Sequence, residues 1–433
     1  MPGKISYRIV GGDIVRRIDV GARGVKTSKL PIPVWANRNQ PLEDLYDLAW
    51  LASKERPRMR TAGRTIRLVD LFCGCGGLTL GIREAARGLG CGFQSVFAAD
   101  TNKEVLGLYQ KNFQPLASDG NPIERMIDGE LGAPRTSAEE VFCKKIGEVD
   151  ILVAGPPCQG NSNLNNYTRR DDPKNLLYLQ AVRCAEILRP PALIIENVPG
   201  VFYEKHGVLQ RADQYLREIG YNVGFGVLPM WKFGVPQMRR RMILAASLVS
   251  ADVEINDIVA RFQLPERPLS WACGDLLGRE IPGDPFDSAS IHDPVNQRRI
   301  HYLFEHDLHN LPNSERPDCH RLKPHTYPGV YGRMWWNQPA PTITGGFACC
   351  GQGRFVHPLR ERTLTPHEAA RVQFFPDFFD FSGLTPTQLR KAIGNAVPAK
   401  AGYVVSLPLL MGVLESESRR AFHANNGEKG NDA

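Results

Sequence analysis

The sequence predicts an α/β protein: a doubly wound, mostly parallel sheet with a smaller target-recognition domain beside it. Three observations carry the α/β prediction. Short apolar runs alternate with amphipathic stretches from residue 66 to residue 247, the pattern of strands joined by crossover helices. A glycine-rich turn, FCGCGG, follows the first run, and an acid, Asp100, ends the second. In doubly wound sheets these two places face a ligand at the carboxyl ends of the strands. With 433 residues, 42% of them hydrophobic, the chain can bury one large core and a second, smaller one.

The elements follow in order. Residues 1–65 are rich in Gly, Pro and Arg and read as a basic N-terminal extension, within which DLYDLAWLA is amphipathic enough to form a docked helix. IRLVDLF reads as a buried strand, and LTLGIREAARGL as the helix after the glycine turn. QSVFAAD is a second strand, KEVLGLYQKNF an amphipathic helix, and VDILVAG a third strand. LLYLQAVRCAEILRP is a helix, ALIIENV a fourth strand and VLQRADQYLREIG a further helix. YNVGFGVL and RRMILAAS complete the strands. These readings divide the chain into an extension (1–65), a catalytic and cofactor-binding domain (66–249 with 363–420), a small domain (250–362) and a tail (421–433).

Composition excludes several classes. No run of about 18 apolar residues marks a transmembrane helix, and the N-terminus lacks a signal-peptide core, so a cytoplasmic protein with no membrane partner is expected. Ten scattered cysteines fit reduced thiols, and none has the spacing of a zinc site, so no metal is expected. The net charge of +7 is uneven: residues 1–65 hold 13 Lys or Arg against 6 Asp or Glu, leaving the remainder neutral. Such an arm suits a polyanion, although KERPRMRTAGR by itself also reads as a solvated linker.

Gly74, Gly76 and Gly77 would let backbone approach a ligand, and Asp100 would accept hydrogen bonds from ribose hydroxyls. On these residues alone, a dinucleotide and S-adenosylmethionine are both open. Cys158, in GPPCQG, follows the third strand and so shares that rim. Glu196 ends the fourth strand, where desolvation favours the protonated acid. Arg239 and Arg241, in VPQMRRRM, would share one strand face and supply the positive charge that activates a thiolate.

Taken together, DLFCGCGG, the Asp100 strand end, GPPCQGNS, DDPKNLL, ENVPG, VPQMRRR, LTPHEAARVQFFPD and IGNAVP resemble the DNA (cytosine-5) methyltransferase family, in its usual order, over roughly residues 66–410. The resemblance implies S-adenosylmethionine as cofactor and a cytosine flipped out of double-stranded DNA as substrate. It makes Cys158 the nucleophile that adds to C6 and Glu196 the residue on the base's N3 and N4 edge. Arg239 and Arg241 would hold the base and nearby backbone, with Asn197 and Gln237 bracing loops. Phe72, Gly74, Gly76, Gly77, Asp100, Pro156, Asn395 and Ala396 would contact the cofactor, with Asp119, or alternatively Asp128, near the adenine. Gln159, Ser162, Arg169 and Arg170 would meet nucleic acid, as would Arg333, which also suits a scaffold role. Residues 250–362 would read the target sequence. Because 252–323 carries 13 acids against 8 bases, phosphate contact is expected from the N-terminal arm and the catalytic face. A monomer is expected, and a restriction endonuclease is the partner the resemblance allows. The alternatives within the family are a tRNA cytosine-5 methyltransferase and a catalytically silent DNA-binding member.

Overall fold

The computed structural model describes residues 3–59, 63–157, 173–322 and 329–427, with only the backbone described for Pro173 and 421–427. The N-terminal region folds into β1 (Ile5–Val10), β2 (Asp13–Asp19) and β3 (Val25–Pro31), an antiparallel three-stranded sheet, followed by α1 (Leu42–Leu51). The central sheet begins with β4 (Thr65–Leu71), α2 (Gly77–Gly88), β5 (Gly92–Ala99), α3 (Lys103–Phe113) and β6 (Ala117–Asp119). It continues through α4 (Ser137–Ile146), β7 (Ile151–Ala154), α5 (Leu177–Leu188), β8 (Ala192–Asn197), α6 (Val208–Glu218) and β9 (Asn222–Pro229). After the short β10 (Gln237–Met238), β11 (Arg240–Ser247) returns between β8 and β9. The seven strands lie in the order β6-β5-β4-β7-β8-β11-β9, all parallel except β11.

Apolar side chains on the two faces of this sheet enter two separate cores. Val69, Leu71, Leu152 and Leu193 pack under α4, α5 and α6, while Ile66, Leu68, Ile151 and Ile194 face α2 and the C-terminal helix. Strands buried on both faces read as continuous apolar runs, which is why β4, β7 and β8 stand out in the sequence.

The remaining elements are α7 (Ile255–Arg261), α8 (Leu269–Cys273), α9 (Pro294–Glu305), α10 (Asp318–Arg321), β12 (Ala340–Pro341), α11 (Pro366–Val372), α12 (Pro386–Asn395) and α13 (Ala399–Gly427). The stretch Pro386–Arg420 holds the one helical window, among the described residues, long and apolar enough to cross a membrane, and 89% of that window is buried inside the protein. It is a core helix. Its contact with α2 is backbone on backbone: a Cβ on Gly81 would lie 1.9 Å from the Ala399 carbonyl oxygen, and one on Gly402 would lie 2.2 Å from that of Leu78.

Two sequence expectations are corrected here. The first is the basic extension as a unit separate from the body; the docked helix also read in DLYDLAWLA is the alternative the structure bears out. Ile14, Ile18, Leu30 and the α1 residues Leu45, Leu48 and Leu51 are buried in the same core as α2 and α13, so residues 3–51 are part of the main body. Arg16, 2% exposed, pairs with Glu84 at 2.8 Å beneath the rings of Tyr46 and Tyr403. Arg23 pairs with Glu417, and Arg64 with Asp150 and Glu417. Arg64 and Asp150 precede β4 and β7, at the amino ends of the strands, opposite the rim where a ligand binds. Three of the arm's 13 Lys or Arg, Arg16, Arg23 and Arg64, are thus paired with acids of the body.

The second is the extent of the small domain. Ile255, Ile258, Leu269, Met334, Ile343 and Phe355 belong to the main core, so only Ile300, Leu303, Leu311, Val330, Tyr331, Cys350 and Val356 form a core of their own. The connection into this unit is strapped to the catalytic body: His367 sits between Asp287 (2.6 Å) and Asp377 (2.8 Å), and Arg390 donates to the Ser290 hydroxyl at 2.9 Å.

Two outcomes follow from this packing. Gly81→Ala should lower unfolding free energy by about 3 kcal/mol or more, because only backbone stands in the way of the new methyl group. Gly107→Ala, in α3 with nothing within 4 Å of its Cβ, should instead gain about 0.5–1 kcal/mol. Urea denaturation of both variants checks the contrast, and equal stabilities would mean that α2 and α13 do not touch. Deleting residues 1–60 should lower the melting temperature by roughly 10 °C or more; an unchanged melt would restore the free arm.

Candidate active site

The first turn is built by strain and by glycine. Phe72 directly follows β4 with φ of 57°, a left-handed conformation rare for a bulky residue. Gly74 (φ 52°) and Gly76 (φ 88°) follow. A Cβ on Gly74 would meet nothing within 4 Å, so its backbone is open to the space in front. Gly76 plays a different part from the cofactor contact expected of it: a Cβ there would lie 2.3 Å from the Phe113 ring, so this glycine lets α3 close against the turn. The turn is tied to the next strand by Asp100, whose carboxylate accepts from the Gly74 N–H at 2.9 Å and the Asn102 N–H at 2.8 Å.

In front of the turn lies a cavity of about 540 Å³, within the usual range for a small-molecule site. Phe72, Gly74, Gly77 and Asp100 line one side. Gln388, Lys391, Ala392 and Asn395 line the other as one stripe of α12, with Ala396 and Val397 beyond it. Gly155, Pro157 and Glu196 close the third side. In the Pro-Pro pair it is Pro157 that lines the cavity; Pro156, the expected contact, is buried, and its carbonyl oxygen accepts from the Asn197 amide at 3.4 Å. Asp119 ends β6 on the same rim, its carboxylate accepting from the Asn121 backbone and side chain. The Asp128 carboxylate accepts from the Thr136 hydroxyl at the start of α4.

Glu196 and Arg241 meet at 2.8 Å. Burial pushes the Glu196 carboxyl above its ordinary range, and the opposing pull of Arg241 and Arg239 does not reverse this. The two arginines do different work. Arg241 lies in β11 and faces Glu196. Arg239 precedes that strand, is 1% exposed, and donates to the carbonyl oxygens of Ile343 and Gly394, bracing two loops. Gln237 also braces, through Val372, Gln373 and Ile343. Arg333 takes the scaffold role: it donates to the Pro358 carbonyl oxygen, pairs with Asp307 and covers the Phe304 ring. Cys158, Gln159, Ser162, Arg169 and Arg170 lie outside the described residues.

Sequence reasoning missed Asp70, which lines the cavity from within β4. The signal was an acid inside an otherwise apolar strand. Burial pushes its carboxyl up to about 8, with Asp100 adding to the effect and the Thr79 hydroxyl opposing it. Cys73 and Cys75 also line the cavity, but burial pushes both thiols up, Cys75 to about 12, which keeps them un-ionised and poor nucleophiles. The titratable carboxyl and amino groups of the lining are thus Asp70, Asp100, Glu104 and Glu196 against Lys391. That set suits a ligand with a net positive charge, hydroxyls to donate and a flat ring to lie beside Phe72.

Comparison with known proteins gives three findings. Residues 66–406 match the family described as C-5 cytosine-specific DNA methylase. The type II methyltransferase M1.BsuMI of Bacillus subtilis is 47% identical over 93% of this chain and 94% of its own, and the type II methylase M.HgiDII of Herpetosiphon aurantiacus is 30% identical over 78% and 93%. Among solved structures, the S. pombe Dnmt2 methyltransferase shares the fold, with a TM-score of 0.58 at 17% identity over 81% of this chain and 99% of its own.

The pairing of Glu196 with Arg241 predicts a pH-dependent defect. The folded-state carboxyl of Glu196 titrates above its unfolded value, so its ionisation costs stability as pH rises through the folded value. Arg241→Met removes its one ion-pair partner among the described residues and should cost about 3–5 kcal/mol where the carboxylate must ionise. Melting at pH 5.5 and pH 8.0 checks this: the loss should be larger at pH 8.0, and Glu196→Gln in the same chain should remove the difference. Equal losses at both values would contradict the pairing.

Proposed function

We propose, from the premise that this chain belongs to the C-5 cytosine-specific DNA methylase family, a residue-level account of how it methylates cytosine. The chain is a DNA (cytosine-5-)-methyltransferase. The observation that carries the account is the meeting of Glu196, Arg241 and the Gly155–Pro157 turn at the edge of the glycine-lined cavity.

Cys158 follows Pro157 directly in the chain, and we assign it the nucleophile. Cytosine C5 is too electron-poor to accept a methyl group unaided. A thiolate forms an S–C6 bond, and the electron pair of C5=C6 moves onto C5 and the ring. Glu196, biased towards its acid form by burial, donates a proton to the N3 edge as that charge develops. Arg241 fixes the Glu196 carboxyl, and Arg239 holds the loops that carry both. S-adenosylmethionine, which fits the predominantly acidic cavity, supplies an electrophilic methyl group for C5. Phe72, Gly74, Gly77, Asp100, Asn395 and Ala396 would hold it, with Asp119 towards the adenine. Loss of the C5 proton to water then returns the electron pair to C5=C6 and expels the Cys158 thiolate, while the proton on N3 passes back to the Glu196 carboxylate.

Stacked duplex does not present C6 to a thiol, so the cytosine must turn out of the helix. Gln159, Ser162, Arg169 and Arg170 are our candidates for DNA contact, and the unit around α9 is our candidate for reading sequence. Bacillus subtilis M1.BsuMI is a type II methyltransferase; on that likeness we extend to this chain a restriction–modification role with a partner endonuclease.

Covalent trapping tests the account. Incubating the protein and S-adenosylmethionine with a random pool of duplexes containing 5-fluorocytosine should give a complex that survives denaturing electrophoresis, since fluorine cannot leave as a proton does. Cys158→Ser should form none while binding the cofactor as before, because a serine hydroxyl is hardly ionised at neutral pH. Equal trapping by the serine variant, or none from a preparation that methylates DNA, would overturn the assignment.

A further inference from the structure

Asp70 is a cavity-wall residue that the mechanism above does not use. It sits in β4, is 2% exposed, and lines the cavity together with Asp100. Among the described residues, one hydrogen bond reaches its carboxyl, from the Thr79 hydroxyl at 2.5 Å. Thr79 in turn contacts the Tyr109 hydroxyl at 3.1 Å, and Tyr109 contacts Ser95 at 3.0 Å.

The titratable groups facing Asp70 are all acids or thiols. Asp100 faces it from the end of β5, Cys73 and Cys75 from the glycine turn, and Tyr109 from α3. Lys391, on the α12 wall, is the one base among the described residues that line the cavity. A carboxylate so placed has one hydroxyl donor and a second carboxylate for company. With nothing in the cavity it keeps its proton at neutral pH, burial having pushed its titration up to about 8. Adding a positive charge to the cavity reverses the balance, because a nearby opposite charge favours the ionised form.

We propose that Asp70 senses charge in the cofactor cavity: it is protonated when the cavity holds no cation, ionises when a sulfonium ligand enters, and takes a proton back once the ligand has become a neutral thioether. The proton released on binding goes to solvent, and the one regained after methyl transfer comes from solvent, so one turnover leaves the residue unchanged. Asp70 is in this sense a specificity residue, favouring the charged cofactor over its uncharged product. The inference rests on the cofactor assigned under the proposed function.

Calorimetry on the full chain tests it, with S-adenosylmethionine and sinefungin as cationic ligands and S-adenosylhomocysteine as the neutral one. Each titration is run at pH 7.0 in phosphate and in Tris, whose ionisation heats differ. The cationic ligands should release nearly one proton each and the neutral ligand almost none. Asp70→Asn should abolish that release and narrow the preference for S-adenosylmethionine over S-adenosylhomocysteine by about tenfold, the equivalent of one pH unit of coupling. Thr79→Val removes the hydroxyl that supports the carboxylate. It should move proton release to higher pH, and it carries the test if Asp70→Asn does not fold. Equal proton release with charged and neutral ligands, or unchanged release in Asp70→Asn, would overturn the proposal while leaving the cofactor in place. Failure of the parent protein to bind any of the three ligands would overturn the cofactor reading along with it.

Discussion

The cavity exists because α2 and α13 touch without side chains between them. Gly81 and Gly402 bring the backbone of one helix against that of the other, and Gly77 meets Val397 just before α13, so closely that a methyl group on any of the three would overlap a carbonyl oxygen. This contact draws the end of the catalytic fold back onto its beginning. It sets the Asn395–Val397 segment opposite the glycine turn, and so gives the cavity a second wall. Interiors are close-packed, so such a contact has little room to relax. The rest of the site is arranged around that fixed distance.

Behind the contact lies a buried polar cluster. Arg16 and Arg87 share Glu84, with Tyr46 hydrogen-bonded to Arg87 and Ser28. Beside it, Asp47 of α1 accepts from Lys400 at 2.7 Å and from Arg267 at 2.8 Å. Each of these ions is costly to bury alone, and losing one partner strands the other. The cluster therefore joins β2, α1, α2, α8's approach and α13 as a unit. The N-terminal region braces the back of the cofactor turn, while Asp100 ties down its front.

The sequence makes the central sheet legible because β4, β7 and β8 are buried on both faces and read as unbroken apolar runs. The N-terminal sheet is not legible for the opposite reason. DIVRRID and VKTSKLP mix their few core residues with charges, and one of those charges, Arg16, points inward. β6 is three residues long, too short to carry a period. α4 did carry a signal, the Thr136–Glu139 capping box, which the strand-and-helix reading passed over. In the site, residue types were easier to read than directions. Gly74, Asp100, Glu196, Asn395 and Ala396 line the cavity as their motifs suggest. Which proline of the pair faces inward, and which arginine of RRR meets Glu196, depend on backbone angles that a motif does not encode. Asp70 was hidden by being taken as part of a strand.

The central claim is that this cavity, with Glu196 and Arg241 at its edge, methylates cytosine C5 in a chosen DNA sequence. Bisulfite sequencing of DNA from cells expressing the chain addresses it most directly. The account predicts cytosines that resist conversion at one recurring sequence and nowhere else, absent from cells that carry the empty vector. Complete conversion at every site, in cells that hold soluble protein able to bind S-adenosylmethionine, would contradict it.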